Sequence, residues 1–234
     1  MLETTNVLIT GANRGIGLEF VKYYLAQGAN VIACCRHPSE AHELVTIKRE
    51  QPDKLAIQTL DVADPESIEQ AAMKLANLSI DILINNAGVY GPKGYSFGDV
   101  EADVWQQVLQ VNTIAPLLVS QAFLPHLKAG KLKVLACITS KMGSMADNGS
   151  GGSYIYRSSK AGLNAVVKSM AIDLAAHQIK VVALHPGWVK TQMGGSNALI
   201  TTEQSVCGMT QVIDKLDNET SGLMINFDGT AIPW

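Results

Sequence analysis

Short apolar runs alternate with longer mixed segments from one end of this chain to the other. The runs are Asn6–Thr10, Asn30–Cys35, Leu55–Asp61, Ile80–Asn85, Lys133–Thr139, Lys180–His185 and Gly222–Asn226. Several are apolar almost throughout, such as Ile82-Leu83-Ile84 and Val181-Val182-Ala183-Leu184. Uninterrupted short apolar runs predict strands covered on both faces rather than strands with one wet face. Between them lie helix signals. Asp64-Pro65 supplies an N-cap and a first-turn proline for a helix to about Leu78. Thr201 and Gln204 have capping-box spacing ahead of a helix to about Leu216. Val100–Leu127 and Tyr154–Ala176 read as helices of several turns each. Strand and helix alternating about six times predicts an α/β fold. It is a doubly wound parallel sheet of about seven strands, with helices on both faces and right-handed crossovers. No composition break or low-complexity tract divides residues 1–234, so one domain is expected, and the Gly/Ser-rich stretch Met142–Ser153 is read as a site rim.

Composition narrows the function. Charged residues are only 17% of the chain and apolar residues 47%, against a typical charged share of about 25%. So little charge suggests surface covered by another subunit. A net charge of −3 with no basic run argues against nucleic acid. No apolar run approaches the ~18 residues of a membrane span, and the polar start of the chain does not read as a signal peptide. Cys34, Cys35, Cys137 and Cys207 form no C-x-x-C pair, and the five histidines are scattered. The expectation is a reduced, cytoplasmic protein with no structural disulfide and no metal.

Two motifs carry chemistry. Thr10-Gly11-Ala12-Asn13-Arg14-Gly15-Ile16-Gly17 joins the first strand to the first helix. Alone it reads equally as a plain strand-to-helix turn. Its place after an apolar first strand favours a turn whose backbone amides meet a pyrophosphate at the positive end of a helix. The second strand ends Ala33-Cys34-Cys35-Arg36 with no carboxylate for a ribose hydroxyl. Arg36 and Arg14 suit a 2′-phosphate instead, favouring NADP, with NAD possible; the bland alternative is an arginine in solvent at a strand end. Far downstream, Tyr156 and Lys160 are four apart on one helix face. An ammonium beside a phenol is expected to lower the phenol's pKa and make it a usable proton donor and acceptor.

With these residues the chain resembles the short-chain dehydrogenase/reductase family along essentially its whole length. The matches are Thr10–Gly17, Asp61-Val62 after the third strand, Asn85-Asn86-Ala87-Gly88 after the fourth, Asn112 in the long helix, Ser140, Tyr156 with Lys160, and Pro186-Gly187-Trp188-Val189-Lys190-Thr191. Within the family, Met193–Ala198 and Phe227–Trp234 look like the C-factor-like and sniffer-like carbonyl reductase group. The resemblance implies a Rossmann-type domain and a catalytic set of Ser140, Tyr156, Lys160 and Asn112. Ser140 would bind the carbonyl oxygen, Tyr156 transfer the proton, Lys160 hold the nicotinamide ribose, and Asn112 keep a water chain to the lysine. It implies dinucleotide contacts from Gly11, Asn13, Arg14, Gly15, Ile16, Gly17, Arg36, Asp61, Val62, Asn86, Ala87, Gly88, Tyr156, Lys160, Pro186, Gly187, Val189 and Thr191. Ser140 precedes Tyr156 by 16 positions, more than the family usually shows, and Ser144 by 12; Ser140 is preferred because it closes the apolar strand. His185, Trp105 and Trp188 read as packing residues, with Trp188 a candidate pocket wall, and Tyr95 and Tyr154 as rim. The implied activity is an NADP-dependent carbonyl reductase or alcohol dehydrogenase acting on a small molecule, in a homodimer or homotetramer joined through the two long helices. The alternatives are a C-factor-like signalling protein that binds the dinucleotide with little turnover and, last, a methyltransferase, which leaves Tyr156 and Lys160 without a purpose.

Overall fold

The computed structural model of the protein describes residues 2 and 4–234. Seven strands form one parallel sheet: β1 Asn6–Thr10, β2 Asn30–Cys35, β3 Leu55–Thr59, β4 Ile82–Asn85, β5 Val134–Ile138, β6 Lys180–His185 and β7 Met224–Asn226. Their order across the sheet is β3-β2-β1-β4-β5-β6-β7, and every pairing is parallel. Four expected runs were too long at their ends: 55–61, 80–85, 133–139 and 222–226 each shed two residues, 133–139 one at each end.

The helices are α1 Gly15–Ala26, α2 His42–Glu50, α3 Pro65–Lys74, α4 Ala102–Leu109, α5 Ala115–Ala122, α6 Leu124–Ala129, α7 Tyr154–Leu174 and α8 Thr202–Asp214. Local chemistry starts two of them where the sequence says. Asp64 Oδ1 accepts from Glu66 N at 3.0 Å ahead of Pro65. Thr201 and Gln204 close a reciprocal capping box, at 3.2 and 2.9 Å. Residues 100–127, expected as one helix, are instead three, with a π turn at Gln110–Ile114 between α4 and α5. Such a turn widens the helix by one residue and is often found at functional sites.

Alternation within each strand splits the core into two layers. Val7, Ile9, Ile82, Ile84, Val182 and Leu184 face α1 and α8. Leu8, Leu83, Val181 and Ala183 face the opposite layer with Val119, Phe123, Leu163 and Val167 of α5–α7. The strand order reverses direction between β1 and β4, so the crevice at their carboxyl ends is where an open α/β sheet takes its ligand.

Candidate active site in the sheet crevice

A cleft of about 890 Å³ opens along the carboxyl ends of the strands. The glycine turn is built for closeness there. Gly11 is left-handed, φ +64°, and a Cβ on it would sit 2.9 Å from Ala87 Cα. A Cβ on Gly17 would sit 2.3 Å from Gly11 O and 2.5 Å from Asn86 Nδ2, so α1 could not approach the sheet with any other residue. Asn86 locks the turn to β4 by donating to Thr10 O at 2.9 Å and Gly11 O at 3.1 Å. Thr10 Oγ1 accepts from the amides of Asn86 and Ala87.

A dinucleotide fits this cradle on an observation independent of motif. α1 begins at Arg14 with no side-chain cap and no acidic residue in its first turn. Its free amides and positive end therefore face the cleft, where an anionic pyrophosphate would satisfy them. Arg14, Arg36, Asp61, Val62, Gly88, Pro186 and Thr191 line the same cleft, as do Asn13, Gly15 and Ile16. Two expected contacts do not. Gly187, φ +81°, packs on Ile200 and Phe227, and Val189 is buried in a bridge to Ile200, so both shape the floor beneath Pro186 and Thr191. Arg14 Nη1 donates to Gln192 Oε1 at 3.0 Å, linking the glycine turn to the segment after β6. The strand end lacks a carboxylate as expected, yet Glu43 of α2 reaches the cleft, where Lys22 pairs with it at 3.6 Å.

At the other end of the cleft stand Tyr156 and Lys160, both buried, one turn apart on α7. Lys160 Nζ donates to Ile138 O at 2.9 Å and lies 6.0 Å from the Tyr156 ring centre. Burial lowers the lysine's pKa to about 8. The expected depression of the Tyr156 pKa does not hold in this state of the protein. Burial pushes the phenol up to about 12, Ser140 pulls it down, and Tyr90 adds to the rise. Loss of solvation is the largest effect, and the Ser140 hydrogen bond offsets only part of it.

The structure separates the two serines. Ser140 follows β5, accepts from Met142 N at 3.2 Å and interacts with the Tyr156 phenol. Ser144 is turned away: its hydroxyl donates to Pro233 O and accepts from Asp147 N at 3.1 Å. Asn112 sits in the π turn, fully buried. Its side chain is fully engaged with protein partners. Oδ1 accepts from Val89 N at 2.9 Å, and Nδ2 donates to Val89 O at 2.8 Å and Ser159 Oγ at 3.0 Å. The side chain clamps the segment after β4 to α7, and the Ser159 hydroxyl returns a bond to Tyr156 O at 2.8 Å.

Trp105 and Trp188 are partly exposed and act as ties, Trp105 Nε1 to Ser158 Oγ and Trp188 Nε1 to Gly194 O, both at 2.8 Å. His185, expected to be packed or hydrogen-bonded, is packed, but its Nδ1 has no partner and burial pushes its pKa down to about 4. Two site residues escaped the sequence reading. Tyr90 stacks on Tyr156, centroids 4.5 Å apart and planes 25° apart, and Ile138 supplies the lysine's acceptor. Neither belongs to a spacing motif, and only packing brings them to the tyrosine.

Comparison with known proteins agrees with this geometry. Residues 5–199 match the short chain dehydrogenase family. The chain belongs to that family. It is 46% identical to C-signal of Myxococcus xanthus over 155 residues, 66% of this chain and 93% of that protein. An NADPH-bound carbonyl reductase from chicken fatty liver superposes with a TM-score of 0.93 at 38% identity, covering 100% of both chains. Carbonyl reductase Sniffer of D. melanogaster gives 0.93 at 32% identity, again over 100% of both. This short-chain dehydrogenase therefore carries the family's seven-stranded sheet and a crevice for a nicotinamide dinucleotide. Among the described residues no helix is long and apolar enough to cross a membrane.

Proposed function

We propose that the protein is an NADPH-dependent carbonyl reductase with Ser140, Tyr156, Lys160 and Asn112 as its working set. The observation that carries this reading is the placement of the Tyr156 phenol at the end of the dinucleotide-sized cleft, with Lys160 one helical turn away and Ser140 interacting with it. A phenol placed there is within reach to give its proton to a carbonyl oxygen as negative charge develops on that oxygen. When bound, the dinucleotide supplies the hydride for the carbonyl carbon. Ser140 donates a hydrogen bond to the carbonyl oxygen and stabilises the negative charge that develops on it. Tyr156 transfers its proton to that oxygen, leaving an alcohol. Lys160 supplies positive charge behind the phenol as it becomes phenolate and would hold the nicotinamide ribose. Asn112 fixes the floor of the site by gripping Val89 and Ser159. Arg36 and Arg14 would meet the adenosine 2′-phosphate, for which NADP in a similar structure speaks.

Similarity to C-signal favours a second reading, a dinucleotide-binding signalling protein with little turnover. Catalysis is preferred because a binder has no use for a transferable phenolic proton. NADPH and NADH titrations followed by turnover over aldehydes, ketones and quinones decide the matter. Reduction is expected with NADPH, and Tyr156→Phe should abolish it while leaving cofactor affinity nearly unchanged. Tight NADPH binding with no reduction of any carbonyl would overturn the enzyme reading and leave the signalling one.

A further inference from the structure

Beside the main cleft lies a second, smaller cavity of about 190 Å³, sharing the Tyr90–Tyr156 stack as its inner wall. Tyr95 and Tyr154 add aromatic surface, and Ser153, which holds Tyr90 Oη at 3.3 Å, closes the end against α7. Phe97, 90% exposed, packs on Tyr154 at 6.3 Å and extends the aromatic wall outward. One cation also lines it: Lys93, whose Nζ stands 5.8 Å over the Tyr90 ring. Among the described residues Lys93 has no carboxylate partner. Glu101, the carboxylate that reaches this segment, accepts from Tyr95 Oη at 3.2 Å instead.

We propose that this slot takes the part of the substrate beyond its carbonyl, and that it selects a flat aromatic ring bearing an anionic group, with Lys93 as the counter-charge. The inference rests on the carbonyl reductase reading and names the substrate class for that site. Size fits: a cavity of roughly 150 Å³ holds a benzene, so 190 Å³ has room for one ring and a substituent. Shape fits as well, since tyrosine faces favour offset or edge-on contact with another ring over contact with a flexible alkyl chain. The shared Tyr90–Tyr156 wall puts a ring in the slot next to the phenol that delivers the proton. An ammonium over an aromatic face, unpaired and at the rim, attracts a carboxylate or sulfonate without the cost of breaking an existing ion pair.

Turnover with NADPH of 4-carboxybenzaldehyde, its methyl ester and the ring-free acid succinic semialdehyde tests each part. In the wild type the acid should exceed the ester about threefold to fivefold in kcat/KM, carried by KM, as expected for one exposed charge pair. Lys93→Ala should bring that ratio to about one, Lys93→Arg should keep it, and about 0.5 M salt should erase it. An acid-to-ester ratio near one in the wild type, or one untouched by Lys93→Ala, overturns the charge assignment. Better turnover of succinic semialdehyde than of 4-carboxybenzaldehyde overturns the ring assignment. Titration calorimetry of benzoate against benzyl alcohol, with NADP bound, gives a readout that needs no turnover. There, preference for benzoate that Lys93→Ala removes supports the slot even if no carbonyl is reduced, in which case the functional reading alone fails. Equal binding of benzoate by wild type and Lys93→Ala overturns the slot.

Discussion

Replacing Ser140 and Ser144 singly by alanine separates chemistry from architecture. The two lie four residues apart at the end of β5, and their hydroxyls have different partners. Under the proposed mechanism Ser140→Ala removes the donor to the carbonyl oxygen; loss of one such donor costs about 10²–10³ in kcat, or roughly 2.7–4 kcal/mol. It also removes a cap on the turn at Met142 N, 3.2 Å away, worth about 1 kcal/mol of stability. Ser144→Ala instead leaves Pro233 O and Asp147 N without their buried partner. Both partners belong to exposed residues, so each lost bond costs its net worth of about 0.5–1.5 kcal/mol, and each kcal/mol lowers Tm by roughly 2–4 °C in a chain of this size. Ser144→Ala is therefore expected to melt lower by several degrees yet keep kcat within about threefold of wild type well below its Tm. Ser140→Ala should melt only about 2–4 °C lower and lose nearly all turnover, with unchanged NADPH affinity. Thermal melts, cofactor titration and initial rates at 15 °C below the lower Tm check this together. If Ser144→Ala were the catalytically dead variant while still folded, the assignment of the carbonyl ligand would be wrong.

Arg36→Ala should cut a preference for NADPH over NADH by at least tenfold, which needs about 1.4 kcal/mol; paired Kd values for the two coenzymes check it, and an unchanged ratio would move the 2′-phosphate elsewhere. Lys160 is buried with its pKa lowered to about 8 from 10.5, so the unfolded chain binds the extra proton and stability rises as pH climbs from about 8 to 10.5. Lys160→Met lacks that penalty; its Tm, relative to wild type, should be most favourable at pH 7 and lose ground by pH 10.5, whatever constant offset comes from the unpaired Ile138 carbonyl. A gap that does not change with pH would mean that the lysine is not desolvated. Association through α4–α5 and α7 is expected as well, because Trp105, Ile114 and Ile172 stay exposed there while Leu163, Val167 and Met170 turn to the sheet; light scattering at micromolar concentration should show more than a monomer, and Ile172→Glu should weaken it.

Periodicity and local capping are short-range properties, and what depends on them was legible in the chain. Seven strands stood where the apolar runs did, because strands buried on both faces tolerate no polar interruption. The starts of α3 and α8 followed from side chains bonding their own first turns. The glycine turn was legible through Gly11 and Gly17, where any Cβ would strike Ala87 or the turn's own backbone. The tertiary structure alone decided the rest. The split of residues 100–127 around a π turn follows from Asn112 reaching across to Val89 and Ser159, contacts 23 and 47 positions away in the chain. Ser140 was already preferred over Ser144 as the end of the apolar strand, but that Ser144 is tied to Pro233, 89 positions beyond it, is visible only in the folded chain. The pKa of Tyr156 came out opposite to the expectation from its i, i+4 lysine, because Tyr90 and the surrounding walls strip water from the phenol. A helix spacing says which charges are neighbours. How much solvent is left between them is a property of the packed molecule, and it sets the sign of the shift.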